Sequence, residues 1–475
     1  MYELIQMLAH GNRVTVERVP LPSTLTPQQV LRRLSDQPWA FALCGSWGGG
    51  GAIVSSCPRR VGDPSTDDPF ALLDQQPCLD PACASPAPGA VGGGWFGWLG
   101  YRLGARIERL PPGPPRPVPL PDFQLAYYDN VLRLDERGQW WFEALASAEC
   151  AADLARRLSE LRRLLAAPPP ERPPFAPPPP FALSDHAAAA HVAAVAACRE
   201  RTVAGEIYQA NICLRLETTY ASDVPSLFEA ASDRIAPPFA AAFAAPGGGI
   251  VSLSPELFLR RSGRHVATAP IKGTIRRPSD PALAAATLKT LRDSPKDAAE
   301  HVMIVDLMRN DLGRVCAYGT VEAPRAAEIE PHPGLWHLVS TVSGRLHASA
   351  TDGDLLRATF PPGSVTGAPK VQAMHVIAEL EQTGRELYTG AIGFASPLAG
   401  LELSVAIRTL ELSDGHLWLG AGGGIVADSD PGREFEEALL KARPIAAAIG
   451  ARVCAGTARR PRRGVFALAG PVEHR

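Results

Sequence analysis

A single lysine stands between a proline and a glycine in Pro270-Ile271-Lys272-Gly273-Thr274, directly after an alternating run of residues. Burying an ammonium is costly, and a lysine held in apolar surroundings releases its proton and becomes a nucleophile. Two other readings stand beside this one: a solvated turn lysine, and a fixed charge that only binds an anion. Glu256 opens the run before it. Residues 256–260 and 265–269 flank Ser262-Gly263. With those two as the hairpin turn, Arg261 pairs with Arg264 and Glu256 falls opposite Ala269. Lys272 then lies within roughly 10 Å of Glu256. One end of one hairpin thus receives a carboxylic acid and an amine.

Four more acids have a pattern. Ser294-Pro295 can open a helix, with Asp297 at the capping-box position and Glu300 on a stripe with Met303, Ile304 and Leu307. An acid on an apolar stripe needs a cation or another partner. Asp430-Pro431 can open a second helix, with Glu434, Glu437 and Lys441 on one face and Phe435, Leu439 and Ala442 on the other. Alone, Glu437 and Lys441 would be an ordinary exposed pair. Residues 362–370 place Ser364, Thr366 and Gly367 ahead of a further helix, where backbone N–H groups can hold a carboxylate or a phosphate. The run fails the Walker order, and Gly420-Ala421-Gly422-Gly423-Gly424-Ile425 fails the dinucleotide fingerprint at Ile425.

The elements that must position these residues fall in order. Residues 1–165 read as a mixed, mostly β region, with short apolar runs at 39–44 and 52–54 and further strands at 125–134 and 140–144. The glycine-aromatic run 92–101 reads as core packing, and 151–165 as a helix. Residues 166–180 are proline-rich and form a stiff linker. Residues 181–450 carry the chemistry. Ser184 or Asp185 caps a helix that Gly205 ends. The strand after it puts Tyr208, Ile212, Leu214 and Leu216 on one face, with Gln209, Asn211 and Arg215 on the other, a polar face that could line a pocket or be solvated. A basic tail, 451–475, follows and is expected to be disordered.

A net charge of −2 over 475 residues gives no electrostatic reason to expect nucleic acid. The most apolar long stretch, 235–251, is broken by prolines and glycines, so no membrane span is expected. Nine cysteines without a CxxC pair and no legible signal peptide point to a cytoplasmic protein with reduced thiols.

Set together, these stretches resemble the chorismate-utilising enzymes. The matching runs are 205–211, Ser254-Pro255-Glu256, 270–274, 303–313, 366–370, Ala406-Ile407-Arg408-Thr409 and 420–428, in order along the chain. Within that group the resemblance is to the aminodeoxychorismate synthase branch. The lysine of the Pro-Ile-Lys-Gly-Thr run is usually alanine in anthranilate synthases, and a water-activating lysine replaces Gln209 in isochorismate and salicylate synthases. His301 and Pro362 depart from the usual asparagine and glycine.

The resemblance implies an α+β fold: a large two-part β-sandwich-like core flanked by helices, its halves more intertwined than the linker suggests. It implies Mg²⁺ held by Glu300 and Glu437, with Asp297 and Glu434 as outer partners through water. It implies chorismate as substrate, its carboxylates held by Arg408, Lys441 and the N–H groups of Gly422, Gly423 and Gly424, with Thr366 and Gly367 nearby. Lys272 would be the nucleophile, Glu256 the general acid, and Thr274 a support for the lysine turn or the substrate. His337 matches a histidine near the leaving group, with a packed core histidine as the alternative. No glutaminase unit is legible, so ammonia is expected from a separate glutamine amidotransferase subunit.

Overall fold

A computed structural model describes residues 13–81, 88–116, 120–168, 174–332 and 335–455. Residues 169–173 of the proline-rich segment and the tail from 456 onward lie outside the described residues. Among those described, the strands form two sheets, one of fourteen strands and one of ten. Helices cover the outer face of each, so the order of layers is helix, sheet, sheet, helix. The α+β sandwich expected from the sequence is the one observed.

Both sheets draw strands from either side of the proline-rich segment. In the large sheet Phe41–Gly45 pairs antiparallel with Phe239–Ala245. In the small sheet Gly94–Leu99 pairs antiparallel with Ala391–Ser396. The inner core mixes Phe41, Trp47 and Phe243 with Phe96, Trp98 and Phe394. Aromatic rings at this density fill the gap between the two sheets. Outside the large sheet, Asp185–Val203 and Pro431–Ala448 bury Val195, Phe435 and Leu439. Outside the small sheet, Pro295–Gly313 buries Ile304, Met308 and Leu312 at helical spacing.

Local signals set many element ends. Ser184 accepts from the Ala187 N–H (3.1 Å) and starts Asp185–Val203, and Gly205 follows with a φ of 82°. Asp430 accepts from the Arg433 N–H (2.9 Å), with Pro431 as first helical residue.

Three local readings need correction. Residues 125–134 are not one strand: Phe123–Tyr128 lies in the small sheet and Asn130–Leu134 in the large one. Asp129 makes the crossing: its carbonyl accepts from the Leu145 N–H (2.8 Å), and its carboxylate accepts from Arg59 Nε (2.5 Å) and Asn130 Nδ2 (2.7 Å). The hairpin turn is Gly263-Arg264, with Ser262 opposite His265 and Leu257 opposite Ala269. Gly263 has a φ of 57°, which suits the first central position of such a turn. Tyr208 precedes the strand Gln209–Thr219 and is 69% exposed, while Ile212, Leu214 and Leu216 are buried.

Candidate active site

The chain crosses between the sheets twice at one place. Gly248–Ser254 is in the large sheet and Leu257–Ser262 in the small one, so Pro255-Glu256 is a crossing. Gly400–Val405 is in the small sheet and Thr409–Ser413 in the large one, so Ala406 to Arg408 is another. The Val405 N–H donates to the Glu256 carbonyl and the Leu253 N–H to the Arg408 carbonyl, each at 3.0 Å, tying the crossings side by side. Arg408 is left-handed, with a φ of 52°. A non-glycine residue takes that conformation only where its surroundings fix it.

A cavity of about 460 Å³ opens beside these crossings. Glu256, Lys272, His337 and Arg408 line it. So do Glu300 from Pro295–Gly313, and Glu434, Glu437 and Lys441 from Pro431–Ala448. Gly422 and Gly424 line it from His416–Ile425. Gly423 does not line the cavity, but a Cβ there would stand 3.3 Å from Glu434 Oε2 and 3.5 Å from Lys441 Nζ. Thr366 and Gly367 also stay outside. Thr366 Oγ1 donates to the Pro362 (3.1 Å) and Gly363 (3.2 Å) carbonyls, and Gly367 pairs with Ala210. The side chains of Asp297 and Thr274 lie outside the described residues.

Lys272 is positioned by an irregular strand. Ile271–Arg276 pairs with Leu335–Arg345, and the register shifts between Lys272 and Thr274, where Gly273 has a φ of 69°. Such a bulge re-aims the side chains on either side of it. Among the described residues Lys272 Nζ donates to the Ser364 carbonyl at 3.1 Å. Burial makes the lysine release its proton more readily, and the nearby Glu300 and Glu256 charges oppose this in part. Glu256 is buried on the facing crossing. Burial pushes its carboxyl up to about 7, against the pull of the Ser364 hydroxyl and the Lys272 charge. The acid therefore holds its proton near neutrality while the amine is disposed to lose its own.

The carboxylates at the other end differ from one another. Glu434 is buried and accepts from Ser429 Oγ (2.7 Å). Glu437 and Lys441 are half exposed and paired at 3.0 Å, and Lys441 also donates to the Gly422 carbonyl (3.1 Å). Among the described residues no three acids, histidines or cysteines are grouped closely enough to hold a metal ion by themselves. Glu300 and Glu437 offer hard oxygen atoms on two helices and leave the rest of a shell open. That suits Mg²⁺, which keeps several waters and takes one or two protein carboxylates. His301, beside Glu300, is hydrogen-bonded through Nε2 to Ser340 Oγ on the neighbouring strand.

Asn211, from the polar strand face that could line a pocket, does line the cavity, and so do Ser364 and Tyr388, which were not assigned roles from sequence. Ser364 sits in the glycine-proline run whose later residues, Thr366 and Gly367, drew the reading instead. Tyr388 carries no local signal. It is held by its own N–H to Glu411 (2.9 Å), and its place follows from the fold.

The sequence profile described as chorismate binding enzyme matches residues 24–447. Aminodeoxychorismate synthase component 1 of Salmonella typhimurium is 38% identical, covering 82% of this chain and 84% of that protein. Anthranilate synthase component 1 of Streptomyces coelicolor is 36% identical, covering 82% of this chain and 78% of that protein. Among solved structures, anthranilate synthase component I from Streptococcus pneumoniae superposes with a TM-score of 0.72 at 25% identity, covering 91% of this chain and 92% of that one. The cavity between the sheets, the ordered motifs around it and these likenesses agree: the chain belongs to the family of chorismate binding enzymes.

Proposed function

We propose that this protein aminates chorismate at C4 with ammonia, giving 4-amino-4-deoxychorismate on the way to p-aminobenzoate and folate. The observation that carries the reading is the placing on one cavity of an amine, Lys272, whose proton affinity burial lowers and an acid, Glu256, whose proton affinity burial raises. The neutral Lys272 nitrogen bonds to C2, the two conjugated ring double bonds each shift by one position toward C4, and the C4–O bond breaks. Glu256 gives its proton to the departing hydroxyl, which leaves as water. Ammonia then bonds to C4, both double bonds shift back, the C2–N bond to Lys272 breaks, and the proton shed by the new amino group returns to the Glu256 carboxylate. Arg408 and Lys441 are the cations in reach of the substrate carboxylates. Glu300 and Glu437 would hold Mg²⁺, which supplies positive charge to the ring carboxylate when bound. Ammonia would come from a separate glutamine amidotransferase subunit, in keeping with the component 1 name of the Salmonella relative. A cytoplasmic setting agrees with the free cysteines among the described residues. No described helix is long and apolar enough to cross a membrane.

The test is direct. The protein is incubated with chorismate, Mg²⁺ and ammonium, and the product is identified by mass spectrometry and by coupling to a lyase. 4-Amino-4-deoxychorismate is expected; anthranilate as the main product would overturn the reading. The metal assignment is tested apart from turnover by Mn²⁺ binding followed by electron paramagnetic resonance. Glu300→Ala is expected to weaken binding, and unchanged affinity would remove Glu300 as a ligand.

A further inference from the structure

Arg385 is buried behind the cavity wall, on the segment that joins Lys370–Leu380 to Ala391–Ser396. Nε donates to Glu381 Oε2 (2.9 Å) and Nη2 to Glu381 Oε1 (2.7 Å). Nη1 donates to the Val365 carbonyl (3.0 Å) and to Thr389 Oγ1 (3.2 Å), and Nη2 also donates to the Asn211 carbonyl. All five donors of the guanidinium are used in this way. Thr389 Oγ1 in turn donates to the Tyr388 carbonyl (2.5 Å). The guanidinium also lies over the Tyr101 ring, 4.5 Å from its centre.

The groups held have one thing in common. Asn211, Val365 and Tyr388 come from three separate stretches of chain, and all three line the main cavity. Val365 follows Ser364, whose carbonyl accepts from Lys272 Nζ (3.1 Å) and whose hydroxyl bonds to the Glu256 carboxyl. One planar cation thus fixes, from behind, the residue next to the contact of the amine and two further parts of the wall.

Two observations go past plain packing. Within the same turn Glu386 (φ 53°) and Thr389 (φ 66°) are left-handed, although neither is glycine. Such strain persists where the surroundings over-determine the backbone, and it clusters at functional sites. Here Arg116 Nε donates to Glu386 (2.7 Å), and the Tyr388 N–H donates to Glu411 (2.9 Å). The second observation is the buried pair itself. Desolvation offsets most of the attraction between two buried charges, so Arg385 and Glu381 are a poor device for stability alone. A rigid fork can hold several acceptors in a fixed relation, which the point charge of a lysine cannot.

We propose that Arg385 is a positioning residue. It holds Ser364-Val365, Asn211 and Tyr388 in one arrangement, and through the Ser364 carbonyl it sets where the Lys272 amine stands against the substrate. The proposal deepens the amination reading above and rests on it.

Arg385→Lys keeps a cation beside Glu381 and loses the fork. In the ammonium-dependent reaction its kcat per folded molecule is expected to fall about a hundredfold, the scale of a misplaced reacting group. KM for chorismate should change by less than about threefold. Folded protein is counted from the urea transition of each sample, so a variant that is only less stable keeps the parent kcat. Thr389→Ser retains the hydroxyl and is expected to match the parent. Thr389→Gly relieves the left-handed strain but removes the hydroxyl, and its kcat is expected to fall about tenfold. A parent-like kcat in Arg385→Lys, or in Thr389→Gly should Arg385→Lys not fold, would overturn the proposal. The arrangement is also read without turnover, in crystal structures of the full chain. The Ser364 carbonyl in Arg385→Lys, or the Tyr388 carbonyl in Thr389→Gly, is expected to move by about 1 Å from its place in the parent. Unmoved carbonyls would overturn the positioning role. A parent protein that aminates no chorismate would sink the functional reading instead, and the crystal structures would then decide the positioning alone.

Discussion

Two largely enclosed lysines, Lys272 and Lys370, have the same side chain and opposite surroundings. Both are withdrawn from water, and burial lowers the proton affinity of each. Lys370 Nζ donates to Asp311 Oδ2 (2.5 Å) and to the Thr359 (2.6 Å) and Pro361 (3.0 Å) carbonyls. Those three bonds use all the donors an ammonium has. Lys272 Nζ is described with the Ser364 carbonyl, and the rest of its surroundings is a cavity edge with Glu256 and Glu300 acting through charge. The acids differ in the same way. Asp311 is bonded directly to its lysine, whereas Glu256 faces the cavity with its proton affinity raised by burial. A saturated buried cation is a clamp; one with donors to spare beside a cavity is available for chemistry. The clamp also serves the other site. It grips the carbonyl of Pro361, three residues before Ser364, and through Asp311 it fastens that loop to the helix that carries Glu300.

The comparison is broken or sharpened by four substitutions. Lys272→Ala is expected to lower C4 amination on the order of 10⁴- to 10⁶-fold, the scale seen when a nucleophile is removed. Its melting temperature should not fall, because a costly buried amine is gone. Retained turnover, followed by chorismate consumption, would make Lys272 a clamp like its counterpart.

Glu256→Gln comes next, with a loss of about 10² to 10⁴ as for a general acid. The sign of the pH effect follows from its raised value. The protonated form is the active one, so kcat/KM of the parent should fall as pH rises through about 7. The glutamine variant should lack that limb, and a pH series of initial rates reads it. A parent profile that is flat on the alkaline side would remove Glu256 as the acid.

Lys370→Met should act on stability first. It leaves Asp311 buried without its cation, at a cost of about 3–5 kcal/mol, measured by urea unfolding. The double variant Lys370→Met with Asp311→Leu should recover much of that loss. If the single variant melts like the parent, the clamp reading fails.

The smallest effect is expected from Ser364→Ala. The hydroxyl holds the Glu256 carboxylate and lowers its proton affinity. Losing a bond worth about 0.5–1.5 kcal/mol should move the alkaline limb to higher pH while the melting temperature stays put. A limb that stays in place would mean that the serine acts only through its backbone.

Much of this could be read in advance where the signal was local. Helix starts at Ser184 and Asp430 follow from a side chain three residues from the N–H it accepts, and they appear where expected. The hairpin after Glu256 was legible, but its turn was placed one residue early, because Ser262-Gly263 and Gly263-Arg264 differ little in propensity. The break at Asp129 was not legible. Residues 125–134 were read as strand throughout although Asp129-Asn130 interrupts the apolar run, and the divergence of two sheets pulls the halves apart there.

The sequence by itself determined the chemical inventory: a lysine in a bulge-forming Pro-Ile-Lys-Gly-Thr run, an acid ahead of its hairpin, and acids at helical spacing on two capped helices. Those choices act over a few residues, within the reach of a hydrogen bond or one helical turn. Tertiary structure alone decided that Glu256 and Arg408, 152 positions apart in the chain, share a double crossing, and that Ser364 and Tyr388 close the cavity between them. It also left Thr366 and Gly367 outside. Contacts between distant segments depend on how two large sheets twist and pack, and no local pattern records that.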